Sequence, residues 1–205
     1  MLPEGALAFL EKEYQFHTAI LHGSRALGRF RSDSDYDLIL IKREGERVRK
    51  DLNFNGVELD VVVEPEAICD RPGDLLCLHH AIIVKDELGL GAKLVARVQE
   101  ILASPPPSMP PERIAHRQQQ VRDSLKKIRQ ADIVGHYRLH NLLMCLLPLY
   151  CSLRRIWYLG DRHTLMWLKN NDPAIYALFE RALMPNATFA DIESLSLRVI
   201  DLGAQ

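Results

Sequence analysis

An α+β fold is what this sequence predicts: a mixed β-sheet with flanking helices in the first half, followed by an α-helical bundle. Three observations predict it. The stretch SPPPSMPP, Ser104 to Pro111, puts five prolines into eight residues, which forbids helix and imposes a stiff extended connector. Before it, short β-rich runs alternate with helical ones; after it, every periodic signal is helical. The expected organisation is a first domain over residues 1–103, a linker over 104–111 and a helical domain over 112–205.

Each element follows from its local pattern. A helix is expected near Glu4 to Glu13, then strands near Phe16 to His22, Tyr36 to Lys42 and Val57 to Val63. AIIVKD, Ala81 to Asp86, reads as a fourth strand, and GAKLVARVQEILA closes the half as a helix. After the prolines, Ile114, Val121, Leu125 and Ile128 lie on one face of a helix opened by Pro110 or Pro111. Further helices are expected over Ile133 to Leu159, His163 to Lys169, Pro173 to Leu183 and Thr188 to Leu202, giving an antiparallel bundle. Thr188 is expected to cap the last of them, with Asp191 completing a capping box.

Composition sets bounds on function. The 205 residues, 47% hydrophobic, suffice for packed cores. The 26 basic and 27 acidic residues nearly cancel, which argues against non-specific nucleic-acid binding as the main work. Cys69, Cys77, Cys145 and Cys151 form no Cys-x-x-Cys pair, so reduced thiols and no zinc site are expected. The N-terminal stretch carries acids where a secretory signal needs basic residues. The apolar run Leu142 to Leu153, interrupted by Pro148, falls short of the roughly 20 residues that span a bilayer and reads as a buried helix. A cytoplasmic protein without a membrane partner is expected.

The chemistry concentrates in GSRALGRFRSDSDYDLIL, Gly23 to Leu40. Strand alternation puts Asp35 and Asp37 on one face, about 6 to 7 Å apart along the chain. Two such like charges repel unless a divalent cation lies between them, and magnesium suits hard oxygen ligands. The bland alternative is a solvated turn. In GVELDVVVEP, Glu58 and Asp60 again share a face within a Val- and Leu-rich run, where a carboxylate needs a partner. If that strand lies beside the first, Asp60 completes a three-carboxylate cluster able to hold two magnesium ions; an exposed edge strand is the alternative. Asp60 rather than Glu58 is expected level with the aspartate pair. Upstream, Gly23-Ser24 offers a turn where backbone N–H groups and a short helix face an anion. Arg29-Phe30 stands where a Walker A loop requires Lys and Ser or Thr, and no Gly-x-Gly-x-x-Gly occurs.

Gly23-Ser24, Gly28, Ser34-Asp35-Tyr36-Asp37 and Asp60 together resemble the signature of the nucleotidyltransferase superfamily, the DNA polymerase β-like fold. The likeness is strong over Leu21 to Val63 and weaker through Ala103. It implies a nucleotidyltransferase-like sheet in which Asp35, Asp37 and Asp60 are catalytic and bind metal, while Gly23, Ser24, Arg25 and Ser34 bind the nucleotide. The implied cofactors are two Mg2+ ions, with a nucleoside triphosphate, ATP by expectation, as substrate. A small catalytic domain followed by a bundle resembles both the aminoglycoside-type small-molecule enzymes and the minimal antitoxin type. The resemblance implies transfer of AMP from ATP to a hydroxyl of a small acceptor, with pyrophosphate released. The alternatives are a protein acceptor and a non-catalytic nucleotide-binding regulator.

In the second half Asp132, Asp161 and Glu180 are candidate bases on residue type alone, set against roles as caps or surface charges. Arg154, Arg155, Trp157, Tyr158 and Trp167 read either as an acceptor pocket or as core. His79-His80 reads as structural, its adjacent rings pointing apart. Between Ser24 and Lys50, eight basic residues against five acids suit a polyphosphate and fall short of a nucleic-acid stripe. Many relatives with this architecture build the site across a dimer, and a homodimer is carried as an expectation on that ground.

Overall fold

Two runs of the first half, Thr18–His22 (β1) and Tyr36–Lys42 (β2), are apolar through their centres and buried on both faces, so they form the middle of a sheet. The computed structural model describes residues 2–129 and 132–202; the outer domain bounds at residues 1 and 205 lie outside them. Val48–Phe54 (β3), Val57–Pro65 (β4) and Ile82–Asp86 (β5) complete a five-stranded sheet in the order β3-β4-β2-β1-β5. β2 and β4 pair in parallel and every other neighbour is antiparallel.

Period-two alternation divides this sheet into two apolar faces. Ala19, Leu21, Leu38, Leu40, Leu59, Val61 and Val63 pack with Leu10 of the helix Ala6–Tyr14 (α1). On the other face, Ile20, Ile39 and Ile41 pack with two 3-10 segments, Glu66–Asp70 and Pro72–His80, and with Leu94 and Val98 of the helix Leu90–Leu102 (α3). The short helix Gly23–Ala26 (α2) follows β1 directly.

β3 was absent from the sequence expectation. Its Arg49, Asp51 and Asn53 are exposed, while Val48, Leu52 and Phe54 pack against the α1 side, so polar residues dilute the apolar signal. A hairpin signal was nevertheless present in Asn55-Gly56: both residues have positive φ, 54° and 83°, and Phe54 pairs with Val57 across the two-residue loop. Asn and Gly tolerate that conformation, and its twist matches the flanking strands.

The chain divides into two compact units after Ser104. The second consists of Pro111–Ile128 (α4), Ile133–Leu153 (α5), Asp161–Asn171 (α6), Pro173–Ala182 (α7) and Phe189–Ile200 (α8), with Leu146, Leu168, Phe179, Leu195 and Val199 in its core. α5 accommodates Pro148 and stops at Leu153, short of the expected Leu159. Arg154 ends it, and Arg155 takes a positive φ of 55°. The Arg154 guanidinium donates to the carbonyls of Val199 at 2.8 Å and Asp201 at 2.7 Å, satisfying the open end of α8. Thr188 and Asp191 form the expected capping box. Among the described residues all four cysteines are free thiols, and no helix is long and apolar enough to cross a membrane.

One carboxylate ties the last strand to the helix after it. Asp86 accepts from the N–H groups of Gly91 at 3.0 Å and Ala92 at 2.9 Å, and from the Thr18 hydroxyl at 3.1 Å. Burial pushes its pKa up, yet these donors outweigh burial and hold it below the ordinary carboxylate value. Because the folded pKa is depressed, this stabilisation is complete above the unfolded pKa and fades as pH falls through the folded value. Asp86→Ala is expected to cost about 1 to 2 kcal/mol at neutral pH by urea denaturation. The gap to the parent protein should narrow at about pH 3, below the usual range for Asp; an equal gap at both pH values would show that the charge is not what caps α3.

Candidate functional site

The strand registers place one row of polar residues across four neighbouring strands. His22 of β1 pairs with Asp37 of β2, Asp37 with Asp60 of β4, and Asp60 with Asp51 of β3. Directly opposed residues share a face, and this row shares the face of Ile39 and Ile41, beside the 3-10 segments and α3. It lies where β1 ends and β2 begins, so its side chains stand at the rim of the apolar layer. Asp35 is half-buried two residues before Asp37, just outside the strand. Glu58 is exposed and pairs with Asn53, one step along the alternation from the row.

Like charges abreast on adjacent strands are costly, and the acidities record that cost. The pKa of Asp37 is pushed up to about 6, first by burial and then by the charges of Asp35 and Asp60, against a smaller opposing pull from Arg49. His22 is held down at about 4, mainly by burial, with His79 adding to that and the charges of Asp60 and Asp35 opposing it. The imidazole is therefore neutral at physiological pH. Asp60 is satisfied differently: the Arg49 guanidinium donates to both of its oxygens, Nε at 3.0 Å and Nη2 at 2.6 Å, a forked charge-assisted pair.

The turn after β1 fits around Asp37. Gly23 has a positive φ of 69°, and a Cβ built on it would fall 2.0 Å from Asp37 Oδ2. Only glycine lets the backbone pass that close to the carboxylate. α2 runs for only four residues, too short to present much of a helix dipole to an anion. Ser24 lies half-buried within it.

Arg25 holds the loop that leads to β2. Its Nε donates to the carbonyls of Ser34 at 3.0 Å and Asp35 at 3.3 Å, and its guanidinium lies 4.1 Å from the Tyr36 ring centroid and 4.6 Å from that of Phe30. The Ser34 hydroxyl accepts from the Arg31 N–H at 3.0 Å. Both side chains thus bind their own loop and fix the backbone before Asp35 and Asp37.

Of the residues expected from sequence, the sheet sets Asp37 and Asp60 opposite each other, with Asp35 and Gly23 beside them. His22, Arg49 and Asp51 were missed. The signal for His22 was its place directly before Gly23; that for Arg49 and Asp51 was the Asn55-Gly56 hairpin, which returns them beside Asp60. His79 and His80 do not point apart: their rings meet edge to face, 4.7 Å between centroids.

In the second unit Asp132 caps α5, accepting from the Gly135 N–H at 2.6 Å. Asp161 accepts from the Tyr158 hydroxyl, and Glu180 is exposed on α7. Arg154 is engaged at the end of α8, which leaves its donors to a helix terminus rather than to an acceptor.

Residues 6–100 match the family described as polymerase beta, nucleotidyltransferase. The chain is also similar in structure to a nucleotidyltransferase-like protein from Exiguobacterium sibiricum 255-15, at 15% identity and a TM-score of 0.46, over 96% of this chain and 72% of that one. No curated protein matches it.

Gly28 supplies an internal control for Gly23, because it has nearly the same φ, 66°, and nothing within 4 Å of an added Cβ. Gly28→Ala is expected to cost about 1 to 2 kcal/mol, the price of a left-handed non-glycine residue. Gly23→Ala should cost distinctly more, and the excess should shrink when Asp37→Ala is combined with it. Chemical denaturation of the four variants decides this; equal costs at the two glycines would remove the proposed contact with Asp37.

Proposed function

Because residues 6–100 match the polymerase beta, nucleotidyltransferase family, we propose that this protein transfers a nucleoside monophosphate, AMP from ATP, to a hydroxyl of a small acceptor and releases pyrophosphate. The observation that carries this reading is the in-register pair Asp37 and Asp60 beside the Gly23 turn.

The donor set fits a divalent cation. Asp35, Asp37 and Asp60 are hard oxygen donors, and the raised pKa of Asp37 reflects first its burial and then the charges of Asp35 and Asp60, which Arg49 offsets only in part. Magnesium ions bound there, two by the carboxylate count, would neutralise triphosphate charge and stabilise the attacking and leaving oxygens.

The remaining work belongs to the chain. Asp35 and Asp37 would hold the metal, with Asp60, oriented by Arg49, as the third carboxylate. Gly23 keeps the backbone clear of Asp37, and Ser24 in the same turn meets the phosphates. Arg25 and Ser34 act on the nucleotide indirectly, by holding the loop that positions Asp35. In the displacement, the acceptor hydroxyl oxygen bonds to the α-phosphorus as the bond from that phosphorus to the leaving pyrophosphate breaks, and the hydroxyl proton passes to water or to the released pyrophosphate. His22, uncharged, borders the carboxylates without adding a second positive charge to compete with the metal.

Pyrophosphate release with ATP, magnesium and a panel of hydroxyl acceptors tests the assignment. Asp37→Asn and Asp60→Asn should each lower turnover by at least about 100-fold, as loss of a metal ligand does. Glu58→Gln, outside the row, should cost less than about tenfold, below the usual share of a general acid or base. The reverse ranking would move the site off the observed register.

A further inference from the structure

The helical unit carries a groove of about 700 Å3 between α4 and α5, lined from Arg113 to Lys127 on one helix and up to Ser152 from Arg138 on the other. Each stretch advances about 21 Å along its helix axis, about four turns. That is the length of a helical segment rather than of a compact metabolite. The floor is apolar, formed by Val121, Leu142, Cys145, Pro148 and Leu149. Met144 lies at its side and is 77% exposed, an unbranched thioether able to adapt to what packs on it.

The rims have one sign. Arg113, Arg117 and Lys127 project from α4 and Arg138 from α5, against a single lining carboxylate, Asp123. Asp123 already accepts from Lys126 at 3.2 Å and from Gln119 at 3.0 Å. An occupant must therefore bring negative charge to both edges and apolar surface to the middle. None of the described lining residues is aromatic, so a nucleic-acid strand would meet cations but no ring on which to stack a base. A second copy of the chain would bring the same cationic rims against these.

We propose that this groove docks an acidic amphipathic helix of a partner protein, with apolar residues at i, i+3 or i+4, and i+7 on the floor and Asp or Glu along both flanks. Docking needs no turnover by the first unit, so its failure and failure of the transfer reaction are separately visible.

The test is fluorescence anisotropy of the full-length protein with three labelled probes. They are a synthetic helical peptide of about sixteen residues with a Leu face and Glu flanks, its twin with Lys flanks, and a uridine oligoribonucleotide of the same charge as the first. The acidic peptide should bind at least tenfold more tightly than either of the others. Arg117→Glu combined with Arg138→Glu should weaken it at least tenfold, as should Met144→Glu. Arg122→Glu, the same charge change at an exposed α4 position outside the groove, should leave it unchanged. Circular dichroism establishes that each variant is folded. Tighter binding of the RNA, equal binding of the Lys twin, an equal loss from Arg122→Glu, or no saturable binding of the acidic peptide would overturn the proposal. So would a dimer, seen by analytical ultracentrifugation, that Arg117→Glu dissociates, because a second copy would then fill the groove.

Discussion

Carboxylates held abreast on neighbouring strands are the constraint around which the first unit is built. Asp37 and Asp60 oppose each other in the parallel pair, Asp51 extends the row, and Asp35 adds its charge from the strand entrance. A sheet gains from pairs of opposite charge or apolar contact across strands and loses from like charges. The surrounding residues limit that loss. Arg49 forks onto Asp60, Gly23 gives the Asp37 carboxylate room, and Asp37 takes up a proton more readily than an ordinary carboxylate.

That constraint also accounts for the rigidity around the site. Both faces of β1 and β2 are buried, so a one-residue slip, which flips every side chain to the other face, would carry Asp37 or His22 into the α1 layer and disrupt the packing of both clusters. Arg25 spends its guanidinium on the loop carbonyls and on the faces of Tyr36 and Phe30, which fixes the approach to β2 where the carboxylates begin. Positioning here comes from backbone contacts rather than from side chains directed at a ligand.

The sequence disclosed the parts more readily than their pairing. Alternation alone placed Asp35 with Asp37 and Glu58 with Asp60, but it could not rank Asp60 above Glu58; the parallel register of β2 and β4 does so by putting Asp60 opposite Asp37. β3 was illegible because its site face carries Arg49, Asp51 and Asn53 and so breaks the apolar run, although Asn55-Gly56 marked its hairpin. Gly23 was legible as a turn glycine, while its closeness to Asp37 is a long-range fact that no local pattern encodes. In the helical unit local chemistry sufficed at Thr188 and Asp191, whose capping box is contiguous in sequence. It misjudged the end of α5, where Arg154 turns to the carbonyls of α8 more than forty residues away.

The central claim is that Asp35, Asp37 and Asp60 share a divalent cation, and Mn2+ can report on it directly as a paramagnetic substitute for magnesium, since both favour oxygen ligands. Side-chain carboxyl 13C spectra of the intact protein, recorded while Mn2+ is titrated in the presence of ATP, locate the ion by broadening. Those three aspartates should broaden first and together, while Asp86, tied up at the start of α3, stays sharp at the same metal concentration. Selective broadening of other carboxylates, with Asp37 and Asp60 unaffected, would contradict the account.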